Sequence, residues 1–441
     1  MEIADRAGRR FWRENWLLVL VLALLFLERA AALWTLGAEY TLASDDLSYV
    51  KSGIYFAQNG VITMHGTTPS AQIMPGMTWL IGLFAALFGE GGHALWLALK
   101  LLWISMGTAT GWFLFKSVTL FAPKWCGAVA CLPLFGADFV WTDNLILTET
   151  PFILCLSAML YYTFLLGRER SRRAFAGCAV SYLAAILLKA NIAVYPLFAL
   201  GYLLAVKYPF KRLLKQGLIL ACLVLCFLVP WAVRNYVQFR AFVPLTYGAG
   251  NPTLLGTYQG YGYPADEELD YASNVDEPFR ETYAAYFDEN GEIPERYQKY
   301  LSLQHDGMKA SYRLEEWASR DLKSLIVSYG FLKPLEIVRG TFYWVRVFNI
   351  PGTWVQEAQD LNLLLCALAA AASLLFRKHR AQCLYLIILY GGNVYIYAMT
   401  YAFGRYSIGL MPMRCILVGL GASALVGGTR RLLNRRALPA G

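Results

Sequence analysis

Long apolar runs separated by short polar stretches organise the chain almost from end to end. Crossing the ~30 Å hydrocarbon core of a bilayer takes roughly 20 mostly apolar residues in a helix. Runs approaching that length predict membrane-crossing helices at 15–37, 94–115, 125–141, 150–167, 174–188, 190–206, 214–233, 358–376, 382–400 and 406–427. A further apolar stretch, 72–88, is shorter, begins at Pro75-Gly76 and ends at Gly89-Glu90-Gly91-Gly92. The pattern is that of an all-α polytopic membrane protein with about ten transmembrane helices, interfacial helices and a lobe outside the bilayer. Composition agrees, with 57% hydrophobic and only 16% charged residues, against about 45–50% and 25% in soluble domains. A soluble enzyme, a disordered chain and a nucleic-acid binder are excluded.

The formal charge of +9 looks at first like a polyanion site, but its distribution says otherwise. The basic residues fall in six clusters: Arg9-Arg10-Arg13, Lys116 with Lys124, Arg168-Arg170-Arg172-Arg173, Lys207-Lys211-Arg212-Lys215, Arg377-Lys378-Arg380 and Arg430-Arg431-Arg435-Arg436. Lys and Arg in short loops stay on the cytoplasmic side. If 72–88 lies in the interface, all six clusters share one side. If it crosses, the first cluster is separated from the other five. The first arrangement is expected, with both termini cytoplasmic and the segments 38–93 and 234–357 extracytoplasmic. The chain then divides into a transmembrane module over 1–233 carrying the loop 38–93, an extracytoplasmic lobe over 234–357, and C-terminal helices with a cytoplasmic tail over 358–441. The first apolar run is too long for a signal peptide and lacks a cleavage pattern, so it is expected to remain as a span. Glu28-Arg29 within it is expected to form an internal pair facing the bundle.

All nine cysteines fall within apolar segments, where a free Cys behaves as a small hydrophobe. No disulfide framework is implied. Cys222 and Cys226 share a helix face without other ligands, so no metal site is expected. No nucleotide-cradling loop or zinc motif is present, and no cofactor is implied.

The polar residues at the outer ends of the spans are more informative. Ser44-Asp45-Asp46-Leu47-Ser48-Tyr49 follows the first span directly. The adjacent acids open an amphipathic helix of about 45–58, where Ser44 suits the N-cap and carboxylates suit the helix dipole. Capping alone would explain the pair. The alternative is that one carboxylate is a general base beside the membrane. Glu149 opens a span just after Asp143, Lys189 lies between two spans, Arg234 follows Pro230-Trp231-Ala232-Val233, and Arg405 stands between Gly404 and Tyr406. Charges at or within spans are costly and are usually functional or paired. Here acids and cations from five distant segments map to one leaflet. The region Asp266–Glu295 is strongly acidic and interleaved with tyrosines from Tyr258 to Tyr300, which suits either a solvated surface or an acceptor platform.

A carboxylate base with Arg and Lys at the membrane surface suits attack by a hydroxyl on a lipid-linked phosphate ester. The base takes the hydroxyl proton and the cations stabilise the departing phosphate. The order of motifs resembles the membrane glycosyltransferases of the GT-C fold, in particular the family 39-like group of protein O-mannosyltransferases and lipid A aminoarabinose transferases. The stretches that carry the resemblance are Ser44–Tyr49, Met74-Pro75-Gly76-Met77, Leu147-Thr148-Glu149-Thr150-Pro151-Phe152 and Pro230-Trp231-Ala232-Val233-Arg234-Asn235-Tyr236. Phe242-Val243-Pro244-Leu245 and Gly404-Arg405-Tyr406-Ser407 support it. The resemblance implies a bundle of that type and an inverting transfer from a polyprenyl-phosphate sugar to a lipid, glycan or protein acceptor, without nucleotide or obligatory metal. It implies Asp45 as the base, supported by Asp46. Asp46, Tyr49, Glu149, Lys189, Arg234 and Arg405 are expected to bind substrate, with Glu149 orienting Lys189. Met74 and Ser48 stand where relatives carry basic residues, so the phosphate would rely on Lys189, Arg234 and Arg405. The expected setting is a bacterial inner membrane with the site on the extracytoplasmic side. The competing class is a transporter or flippase of a lipid-linked sugar. Transporters place charges near the midplane within repeated halves, and no repeat is visible here.

Overall fold

The computed structural model of the protein describes the backbone of residues 2–436 and the side chains of residues 15–430. All of its regular elements are helical. α1 (Glu2–Leu36) runs the length of the apolar layer; α2 (Asp45–Asn59) and α3 (Gly76–Phe88) pack together beyond its end; α4 (His93–Thr119) runs back. Two short helices follow, α5 (Lys124–Cys131) and α6 (Ala137–Thr142), and then the long antiparallel pair α7 (Glu149–Glu169) and α8 (Arg172–Leu188). α9 (Tyr195–Ala205) and α10 (Phe210–Phe239) lead into a lobe built from α11 (Gly250–Gly256), α12 (Glu277–Thr282), α13 (Glu295–Val327) and α14 (Lys333–Arg339). α15 (Gly352–Leu375), α16 (Arg380–Ala398) and α17 (Arg405–Arg436) complete the bundle.

Seven of the ten expected segments are helices long and apolar enough to cross a membrane: those within α1, α4, α7, α10, α15, α16 and α17. The other three are shorter or broken. The run expected as one helix over 125–141 is interrupted, because a 3-10 turn over Leu132–Phe135 contains Pro133 and ends at Gly136 in extended conformation. Pro133 lacks the N–H an α-helix needs. The run 190–206 starts as a 3-10 turn after Lys189, whose backbone is extended. The run 174–188 is α8, with 17 residues. α3 has 13 residues, or about 20 Å at 1.5 Å per residue, which is short of the hydrocarbon thickness. Glu39 and His93, which flank the 38–93 segment, lie 3.2 Å apart. That segment therefore returns to the end of the bundle it left.

The described residues of the basic loop clusters gather at the opposite end. Arg168 reaches the carbonyl of Leu120, and Arg170 reaches that of Lys207 at 3.2 Å. Lys378 bonds Ser423, and His379 packs on Phe121. The clusters Arg9-Arg10-Arg13 and Arg431-Arg435-Arg436 lie outside the described side chains.

α17 is the central stave: 89% of its apolar window is buried, against 11% for α10, whose flanks face outward. A Cβ on Gly421 would come within 2.1 Å of Ala369, so the α15–α17 approach requires glycine there. Arg29, fully buried on α1, is held by Asp143 at 2.6 Å and by the carbonyls of Leu134 at 2.9 Å and Leu25 at 3.2 Å. The expected Glu28–Arg29 pair is also present, with Glu28 the more distant partner at 3.9 Å. The closer partner, Asp143, lies in the interior and not on the outer face, and Thr150 donates to it at 2.7 Å. An adjacent residue on a helix points about 100° away, whereas α6 brings Asp143 directly opposite. Removing one partner of a buried pair leaves the other charge uncompensated. Asp143→Asn is accordingly expected to lower stability by about 3–5 kcal/mol in denaturant titrations of the detergent-solubilised protein. A loss within ~0.5 kcal/mol, the ordinary range for innocuous surface changes, would show that the pair does not hold α1 in place.

Candidate active site

The site begins where α1 stops. Gly37 leaves the helix with φ +88°, a left-handed conformation that suits glycine. The chain then turns so that α2 starts at Asp45. Ser44 occupies the N-cap position but makes no side-chain cap bond, contrary to expectation, because its backbone (φ −122°, ψ −133°) lies outside the usual capping region. The Asp46 carboxylate stabilises the turn instead, accepting the N–H groups of Leu42 at 2.6 Å and Ser44 at 3.2 Å. The two acids therefore separate in role: Asp46 is buried and turned back on the loop, while Asp45 remains 36% exposed.

Asp45 belongs to a chain of charges drawn from four helix ends. Arg405 donates through Nη1 to Asp45 Oδ2 and through Nη2 to Glu149 Oε2, both at 2.8 Å. Lys189 Nζ donates to Glu149 Oε1, also at 2.8 Å. Glu149 is the buried centre, 1% exposed. Its carboxylate lies in the first turn of α7, and Lys189 lies at the C-cap of α8; both placements suit the helix dipoles. Arg405 opens α17, at the wrong end for a cation, and its two carboxylates offset this. The Lys189 ammonium also stands over the rings of Phe152 (5.4 Å) and Tyr406 (5.9 Å).

These groups line a cavity of about 340 Å³ together with Tyr49, Gln72, Met74, Asn191, Tyr397 and Tyr406. Burial pushes the Tyr49 phenol well above its usual range, against the opposing pull of the Arg405 charge. Tyr49 is therefore a neutral hydroxyl, not a second anion. Several buried polar atoms in this wall, Gln72 Oε1 and Arg405 Nε among them, have no hydrogen-bond partner among the described residues. Unsatisfied buried polar groups are scarce in folded proteins, and here they mark where a polar ligand would be received. Gln72 and Asn191 carried no sequence signal of their own. Met74 lines the same cavity and offers no charge to an anion.

Arg234 is not brought into the cavity. Its guanidinium donates to the carbonyls of Ser70 at 2.9 Å and Ile62 at 3.3 Å, and to Asn235 at 2.9 Å, while packing over Trp231 and Phe239. It ties the loop 62–70 to α10. His65, on that loop, was not singled out by the sequence, yet it reaches Asp45 and Ser48. In the acidic lobe, Arg313 is buried and bonded to Asp266, Thr257 and the Pro264 carbonyl. Asp276 meets His305, and Glu268 meets Arg320. Part of the acidic run thus fastens the lobe to α13. Hydrogen bonds from Tyr271 and Tyr258 with the Arg313 charge hold the Asp266 carboxyl below its usual range despite its partial burial. Among the described residues no cluster of His, Cys, Asp or Glu could hold a metal ion.

Residues 69–233 match the family model described as dolichyl-phosphate-mannose-protein mannosyltransferase. That segment contains Glu149 and Lys189 and ends one residue before Arg234. Among solved structures it is similar to ArnT from Cupriavidus metallidurans bound to undecaprenyl phosphate, at 14% identity over 94% of this chain and 79% of that one, with a TM-score of 0.44. The same protein in the apo state gives 16% identity over 95% and 79%, with a TM-score of 0.43. No curated protein matches the sequence.

The network makes a testable energetic claim. Residues that share a buried charge partner are not additive, with couplings of about 0.5–3 kcal/mol. In a double-mutant cycle on stability, Lys189→Met and Glu149→Gln are expected to couple by more than ~1 kcal/mol, the upper part of that range. Additive losses would show that the two groups do not act together.

Proposed function

We propose that the protein is an integral membrane glycosyltransferase that moves a sugar from a polyprenyl-phosphate donor to an acceptor hydroxyl. The reaction takes place on the extracytoplasmic face, with inversion and with Asp45 as general base. The observation that carries this reading is the mixed charge chain Asp45–Arg405–Glu149–Lys189 around a cavity whose wall keeps unused polar atoms. The family match over 69–233 supports a glycosyltransferase. The grouping of this site at the bundle end opposite the basic loops supports the outward side.

Each residue has a distinct task in this scheme. Arg405 occupies Asp45 Oδ2 and leaves Oδ1 to take the acceptor proton. As that proton moves to Oδ1, the acceptor oxygen bonds the sugar's anomeric carbon and the bond from that carbon to the phosphate oxygen breaks. A single displacement inverts the anomeric centre. The leaving phosphate keeps the electron pair, and its charge is met by the spare N–H groups of Lys189 and by Nε of Arg405. Glu149 fixes both cations, so they need no reorganisation as the charge develops. Tyr49 donates a hydroxyl to the sugar or phosphate. Asp46 supports the site by holding the turn that presents Asp45. The polyprenyl tail lies among the helices, which accounts for a polar cavity at the edge of the bilayer.

Label transfer from a panel of undecaprenyl-phosphate sugars by the protein in nanodiscs tests the scheme. Asp45→Asn preserves size and is expected to lose transfer by ~10²–10⁴-fold, the usual worth of general-base catalysis, while retaining the donor. A near-normal rate in Asp45→Asn would remove it as the base. Sidedness is checked separately: a Cys placed at the exposed Ser273 should react with an impermeant reagent added outside intact cells, and labelling only after lysis would reverse the orientation.

A further inference from the structure

The loop after α2 is short, yet it is fastened at several points. Thr63 and Pro69 form an isolated antiparallel bridge, and Ser70 N–H bonds the Ile62 carbonyl at 2.8 Å. Ser52 of α2 donates to the Thr63 carbonyl at 2.5 Å, and Arg234 clamps the carbonyls of Ile62 and Ser70 from α10. At the tip, His65 sits in the left-handed region at φ +57°. A non-glycine residue there is uncommon and is kept only where the surroundings impose it. The result is an imidazole held against the start of α2, with 40% of its side chain open to solvent.

The hydrogen bonds around the ring favour a proton on Nδ1. Ser48 donates its hydroxyl to the Ser44 carbonyl at 3.1 Å, one turn back on α2. Its oxygen is therefore the acceptor for His65 Nδ1–H, 2.9 Å away. The neutral ring then presents an unprotonated Nε2, and that atom faces Asp45 Oδ1 at 3.6 Å. Oδ1 is the oxygen that Arg405 leaves unoccupied. Two lone-pair-bearing atoms that face each other stay apart until one of them carries a proton.

We infer that His65 is a positioning and relay residue that receives the proton Asp45 takes from the acceptor, and that Arg234 holds its loop in place for this. The inference rests on Asp45 being the base. After transfer, Asp45 Oδ1–H approaches Nε2, the proton passes to the ring, and the imidazolium releases it at its solvent-exposed edge. Asp45 is then an ionised base again, with no change in oxidation state and no added reactant. The same geometry gives a pH response. When the ring is protonated beforehand, Nε2–H⁺ pairs with Oδ1, so both carboxylate oxygens are engaged and the base is silenced. Of the charged groups around the ring, Asp45 is the one at salt-bridge distance. Arg405 and Glu149 lie behind Asp45, Asp46 is turned to the 42–44 turn, Lys51 is on the exposed side of α2, and Arg234 holds the loop backbone.

Two measurements decide this. In ¹⁵N-histidine-labelled full-length protein in nanodiscs, the four histidines give ring signals, and His65→Gln identifies the one from His65. The neutral ring should be protonated at Nδ1, and Ser48→Ala should abolish that preference. A neutral ring protonated at Nε2 would overturn the inference whatever the enzyme transfers. In the transfer assay, His65→Gln keeps the bond to Ser48 but cannot take a proton. It should lower kcat about tenfold, below the full worth of a direct base, with donor KM unchanged. It should also lose less of its rate than the wild type as the pH falls. Identical kcat and identical pH profiles would overturn the relay. No transfer by the wild type from any donor would instead refute the proposed function, leaving the tautomer measurement to judge His65.

Discussion

Everything at this site depends on one guanidinium. Arg405 is the group through which Asp45, on the helix after the first span, and Glu149, at the head of α7, are joined. Glu149 is almost fully buried, and desolvation penalises an isolated buried ion by several kcal/mol. One planar cation with a fork of donors satisfies both carboxylates, and Glu149 passes the connection on to Lys189. Charge balance is thus built into the cavity wall. Adding a phosphate calls on N–H groups that are already in place.

The bundle is arranged to deliver these four side chains to one spot. α17 is buried almost throughout and starts at Arg405, so the residue at its head is aimed by the packing of the core. α7 and α8 run antiparallel and put Glu149 and Lys189 at the same end. The second internal pair, Arg29 with Asp143, ties α1 to α6 and so fixes the point from which the chain turns into α2. A Cβ on Gly107 would stand 2.1 Å from the Asp143 carboxylate; α4 makes room for that pair by having none. Structure and site geometry are coupled here through buried ion pairs.

Much of this was legible in the sequence, for a physical reason. A charge at the end of an apolar run needs a partner or a task, so Asp45, Glu149, Lys189 and Arg405 stood out, and the structure brings them together. The same logic singled out Arg234, but a guanidinium can also be satisfied by carbonyls, and a sequence does not show where a loop's carbonyls point. Arg29 was paired with Glu28, which does stand within ion-pair distance, but its closer partner Asp143 arrives only through the fold. His65 and Gln72 left no mark, since a single polar residue in a polar loop has no pattern until tertiary structure places it. Span lengths followed from hydropathy; the break at Pro133 and Gly136 shows where local stereochemistry overrides an apolar run.

The proposed function requires this cavity to receive the donor's phosphate between Lys189 and Arg405. The most direct measurement is a cryo-electron microscopy structure of the protein in nanodiscs with undecaprenyl phosphate. Phosphate density is expected within hydrogen-bonding distance, about 2.7–3.2 Å, of Lys189 Nζ and the Arg405 guanidinium, with Asp45 Oδ1 left free. Density for the phosphate elsewhere, with the Asp45–Arg405–Glu149–Lys189 chain untouched, would contradict it.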